Sequence, residues 1–178
     1  LRKLMQHERK KELKKIDDVQ SVLLLFVMSD EGTWSAVNRC AQKLEDAGKR
    51  VELIGMVPLS LQRNFVVMRQ STLLLHEKNQ FTWLGIPKGE EVQAMLGRHY
   101  DLLIDLTGTP TFFAQYVALA AHASLRTAYC NTSEQPAEKP TTLPTTSIYD
   151  FVISGDEPID ISRYMVNMIE NLKMITQK

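Results

Sequence analysis

The sequence predicts an α/β fold, a three-layer sandwich built on a mainly parallel, doubly wound sheet. Two observations carry this. Short continuous apolar runs such as "VLLLFV" recur along the 178 residues, the pattern of strands covered on both faces. Segments of helical period separate them, so strands alternate with helices. The stretches "VQSVLLLFVMSD", "TWSAVNRCAQKLEDAGKR" and "VELIGMVP" make the first such unit: strand, helix, strand. A βαβ unit of that length forces parallel pairing with a right-handed crossover. Six runs of this kind make the sheet Rossmann-like.

The opening "LRKLMQHERKKELKKID" has no Gly or Pro and is rich in helix formers. Its apolar stripe is thin and broken by Arg9, so residues 1–16 read as a basic helix peripheral to the core. Residues 1–18 form that appendage, and residues 19–178 a single Rossmann-like domain. Strands are expected near 20–28 and 51–57, with a helix between them that places Trp34, Val37, Cys40, Ala41 and Leu44 on its apolar side. "LSLQRNFVVMRQ" fits a short helix or a loop. "STLLLH" is a third strand, near 72–76, and "EEVQAMLGRHY" a short helix with acidic residues at its positive end.

A fourth strand is expected near 102–107. "TPTFFAQYVALAAHA" is an almost wholly apolar helix with Pro110 suited to its first turn. A fifth strand follows near 125–130. The proline-rich "SEQPAEKPTTLPTTS" is an irregular loop. A sixth strand lies near 149–154. The last helix carries Ile161, Met165, Met168, Ile169, Leu172 and Ile175 as its stripe.

Composition excludes several functions. Lys+Arg and Asp+Glu both number 21, so no basic field attracts nucleic acid. Residues 1–18 do carry seven basic and four acidic residues, a local excess. Cys40 and Cys130 cannot build a disulfide framework and read as reduced. No apolar run reaches the roughly 20 residues that span a bilayer. The basic start lacks the apolar stretch of a signal peptide, although a chain beginning on Leu1 leaves an upstream leader open. The expected setting is cytoplasmic.

Two short motifs carry resemblances. "WLGIP" (Trp83 to Pro87) and "YDLLIDL" (Tyr100 to Leu106) resemble an uncharacterised family of Bacteroidetes proteins, a domain of unknown function. That resemblance implies a cytoplasmic α/β domain and no particular activity. Asp101 to Leu106, Thr111 to Ala123 and Ser124 to Tyr129 are similar in order to the N-terminal half of heptosyltransferase-type glycosyltransferases. Those enzymes need a second half for most of their nucleotide-sugar site, and this chain has none.

In a sheet of order 3-2-1-4-5-6, ligands bind at the carboxyl ends of the first and fourth strands. The residues there are Ser29 and Asp30 on one side, and Asp105, Thr107, Gly108 and Thr109 on the other. They form the candidate ligand site. Neither G-x-G-x-x-G nor G-x-x-x-x-G-K-[ST] is present, and Asp30 and Glu31 would repel phosphate. Thr107 or Thr109 serves equally as a helix cap. Asp30, Glu31 and Asp105 are the alternative Mg²⁺ site, which would support a metal- or nucleotide-dependent transferase half-site. The other reading has Asp30 capping a helix and Asp105 accepting bonds from nearby backbone N–H groups or hydroxyls, which favours its charged form.

The four histidines show no metal-ligand spacing, and no G-x-S-x-G elbow is present. Trp34 and Trp83 read as packing residues. The sequence leans away from an enzyme and toward a domain that binds a small molecule or a protein partner, without a cofactor.

Overall fold

The computed structural model describes residues 11–12, 14–61, 69–83, 85–109, 111–133 and 147–174. Its strands are β1 (Ser21–Val27), β2 (Arg50–Val57), β3 (Thr72–His76), β4 (His99–Asp105), β5 (His122–Asn131) and β6 (Phe151–Gly155). They form one sheet in the order β3-β2-β1-β4-β5-β6, and every neighbouring pair is parallel. The helices are α1 (Glu31–Asp46), α2 (Glu90–Leu96), α3 (Phe112–Ala120) and α4 (Ile161–Lys173).

β1 is central because both its faces are apolar. Val22, Leu24 and Phe26 pack beneath α1 and α4, while Leu23 and Leu25 pack beneath α2 and α3. Each such side chain contributes about 1.5–3 kcal/mol relative to exposure. Val37, Cys40, Ala41 and Leu44 bury the inner face of α1 at positions i, i+3, i+4 and i+7. On α4 the buried face is Ile161, Tyr164, Met165, Met168 and Leu172. The expected Ile175 lies outside the described residues.

β4 and β5 each begin three residues earlier than the apolar pattern indicates. His99↔His122 and Tyr100↔Ala123 pair before the hydrophobic stretch opens. The expected N-terminal helix lies mostly outside the described residues. At its described end Lys15 is extended (φ −62°, ψ 150°), and Ile16–Asp18 is a 3₁₀ turn rather than the last turn of an α-helix. Buried Ile16 and Val19 anchor this segment, and Lys49 Nζ donates to the carbonyls of both residues at 2.6 and 2.8 Å. The ambiguous residues 62–68, Pro110 and most of the proline-rich loop also lie outside the described residues.

Candidate functional site

At the switch point between β1 and β4, the side chains of Ser29, Asp30, Asp105 and Thr107 are engaged locally. Asp30 is the cap of α1. Its Oδ1 accepts from the Thr33 N–H at 2.6 Å and from the Thr33 hydroxyl at 3.0 Å. The Thr33 N–H bond, being with the charged form, holds the Asp30 carboxyl below its usual range. Ser29 and Thr33 share a short hydroxyl–hydroxyl contact.

Asp105 ends β4 and is 4% exposed. Its Oδ1 accepts from the Thr107 N–H at 2.8 Å, and its Oδ2 accepts a short hydrogen bond from the Tyr149 hydroxyl. These bonds favour the charged form, as expected, but they do not set the net direction. Burial outweighs the Tyr149 and Thr107 bonds and pushes the Asp105 carboxyl above its usual range.

Asp30 and Asp105 do not face each other. Asp105 is level with Leu25, and paired residues of parallel neighbours point the same way, so its carboxylate enters the α2/α3 layer. Asp30 opens a helix of the opposite layer. Asp30, Glu31 and Asp105 therefore do not converge, and among the described residues no group of three or more His, Cys, Asp or Glu is arranged to hold a metal ion.

The Thr107-Gly108-Thr109 turn is a packing joint. The Thr107 hydroxyl donates to the Thr109 carbonyl at 3.1 Å. The Gly108 carbonyl accepts from the Asn131 N–H at 3.4 Å. Gly108 has φ +75°, and a Cβ there would lie 2.7 Å from Ile159 Cγ2, so Ile159 packs directly against the turn. Neither Thr107 nor Thr109 caps the following helix. Thr111 does, accepting from the Ala114 N–H at 3.1 Å with the extended backbone of a cap residue (φ −91°, ψ 157°).

The amino edge of the sheet holds a second polar cluster that sequence reasoning missed. The Asp101 carboxylate accepts from Lys14 Nζ at 2.7 Å, the Gln20 N–H at 2.9 Å, and the Ser21 N–H and hydroxyl at 3.1 and 3.2 Å. Burial alone would raise its pKa, but these donors together lower it to about 2. His99 Nε2 lies 3.5 Å from Ser124 Oγ and 3.8 Å from Asp101 Oδ1. A nucleophilic triad needs the serine and the carboxylate on opposite ring nitrogens. Here both face the same one, and Lys14 neutralises the acid. Glu52 is likewise engaged, with Arg98 at 2.8 Å and the Tyr100 hydroxyl.

Trp83 departs from its expected packing role. Trp34 does pack, with its ring centroid 6.1 Å from that of Phe26, but Trp83 is 92% exposed. It stands on a small hairpin after β3 that is closed by the Phe81↔Pro87 bridge. The Thr82 N–H donates to the Ile86 carbonyl and the Gly85 N–H to the Thr82 carbonyl, both at 2.9 Å. Gly85 (φ +76°) takes the left-handed step that closes the turn. Phe81 anchors the base edge-to-face on Phe113, at 5.7 Å and 72°. Beside that base lies a cavity of about 300 Å³, floored by Leu73, Leu75 and Val92 and rimmed by Gln80, Lys88 and Glu90.

Strand order, all-parallel pairing and helices on both faces define a Rossmann-like α/β domain. Residues 1–139 match the model of the Family of unknown function (DUF6913), and the chain belongs to that family. No curated protein matches it at a significant level. No described helix is long and apolar enough to cross a membrane.

Proposed function

We propose that the chain is a non-catalytic binding domain that docks a protein partner through the β3–α2 connection. The observation that carries this is Trp83, 92% exposed at the end of a hydrogen-bonded hairpin. Tryptophan is among the residues enriched at the hot spots of protein interfaces. An exposed indole at a mobile tip would lose much of its binding energy to ordering, whereas this hairpin is already braced by Phe81 on Phe113. Leu59, 63% exposed after β2, adds apolar surface at the same edge of the sheet. The neighbouring cavity has room for one apolar side chain of the partner.

This reading places no cofactor in the domain. A cytoplasmic setting and an origin in the Bacteroidetes belong to it too, and buried, free Cys40 and Cys130 suit a reducing compartment. A small molecule at the switch point is the lesser form of the same idea. Nothing in the geometry favours the heptosyltransferase-like half-site with Mg²⁺ or nucleotide.

The test is a photo-crosslinking residue at position 83, expressed in the native cell and compared with the same residue at Val166, 48% exposed on α4. A discrete adduct formed from position 83 and absent from position 166 is the expected result. Adducts that do not differ between the two positions would sink the proposal.

A further inference from the structure

We propose that Asp105 and Tyr149 form a protonation-controlled latch that fastens the entry of β6 onto β4. Tyr149 lies just before β6 in a segment that enters the sheet from the long loop, and its neighbours are also clipped down. Ile148 is buried. The Asp150 N–H donates to the Arg126 carbonyl at 2.8 Å, and Asp150 Oδ2 accepts from the Arg126 N–H at 2.9 Å. Tyr149 alone reaches past β5, its hydroxyl donating to Asp105 on β4.

The chemistry of the hook decides its behaviour. Asp105 is buried and receives its bonds from neutral donors, the Tyr149 hydroxyl and the hydroxyl and N–H of Thr107. A carboxylate in such a place gains little to offset its lost hydration, so its neutral form is the one the closed state suits. The groups around the pair do not change this. β5 brings Arg126, whose charge acts on Tyr149, and α4 brings Tyr164. In register on β1 is the apolar Leu25, and α3 buries the uncharged Gln115. Burial raises both members of the pair, Tyr149 well above its ordinary value.

The sign follows from the direction of the shift. The closed state binds the Asp105 proton more tightly than an open, hydrated state does. Closure is therefore strongest below the ordinary carboxylate range and weakens as pH rises through the raised value. Ionised Asp105 regains water when the Tyr149 segment lifts. The latch thus couples solution pH to the order of β6, an edge strand of five residues that pairs on one side only.

Amide hydrogen exchange of Phe151–Gly155 in the full chain, corrected for intrinsic exchange, tests this. Wild-type protection is expected to be greatest at about pH 4 or below, near the ordinary carboxylate value, and to fall several-fold as pH is raised toward neutrality. Asp105→Asn should remove that dependence, and Tyr149→Phe should lower protection at both ends of the range. Should either variant fail to fold, carbon-13 titration of the Asp105 carboxyl in the wild type replaces it. That titration must then run in phase with the loss of protection. Protection that is flat with pH, a dependence that survives Asp105→Asn, or a titration out of phase would each overturn the proposal.

Discussion

Gly108→Val is expected to destabilise the protein by about 2–4 kcal/mol in urea unfolding, the largest single effect at the carboxyl edge. Two costs add. A β-branched residue at φ +75° is strained whatever surrounds it, and its Cβ would sit 2.7 Å from Ile159 Cγ2. The second cost is separable. In a double-mutant cycle, Ile159→Ala should recover part of the loss caused by Gly108→Ala, while the backbone strain stays. A loss below about 0.5 kcal/mol for the valine would mean that the turn gives way easily and is no joint.

Asp101→Ala should cost about 2–4 kcal/mol, because it leaves the Gln20 and Ser21 N–H groups and Lys14 without their acceptor at a buried position. The same carboxylate imposes a pH dependence of opposite sign to that of Asp105. Its folded pKa of about 2 lies below the ordinary 3.8, so its contribution is fully present above about pH 4 and lost as pH falls through 2. Allowing for solvent screening, about 1–2 kcal/mol should disappear across that window and be missing from the Asp101→Ala curve. Parallel acid-unfolding curves for the two proteins would refute this role for Asp101.

The architecture was largely legible because its signals are local. Val22 to Phe26 had to be covered on both faces, and the helical spacing of Val37, Cys40, Ala41 and Leu44 placed one helix after that strand. The repeated crossover made the sheet parallel, while the strand order, taken only as a condition, needed the structure. The polar groups were harder, since their partners are remote in sequence. Asp105 bonds to Tyr149, 44 residues away, and Asp101 bonds to Ser21, 80 residues away. No spacing rule connects such positions, so a chain of carboxylates near strand ends looked the same whether it formed a site or a set of joints.

Trp83 shows the opposite limit. Hydrophobicity marks a residue as able to be buried, and only the hairpin closed by Phe81, Pro87 and Gly85 turns it outward. The cap at Thr111, rather than Thr107 or Thr109, was equally hidden. Three threonines within five residues all suit the role, and only Thr111 directly precedes the first residue of the helix.

In the function proposed above, the switch point is a structural joint and binding takes place at the β3–α2 connection. Amide NMR of the full chain during titration with Mg²⁺, and then with ADP and Mg²⁺ together, tests the first half most directly. Resonances of Ser29, Asp30, Asp105 and Thr107–Thr109 are expected to stay in place at about millimolar ligand, since Ile159 packs against Gly108 and the carboxylates lie on opposite faces of the sheet. Saturable shifts centred on those residues would contradict the account and restore a metal- or nucleotide-dependent site between β1 and β4.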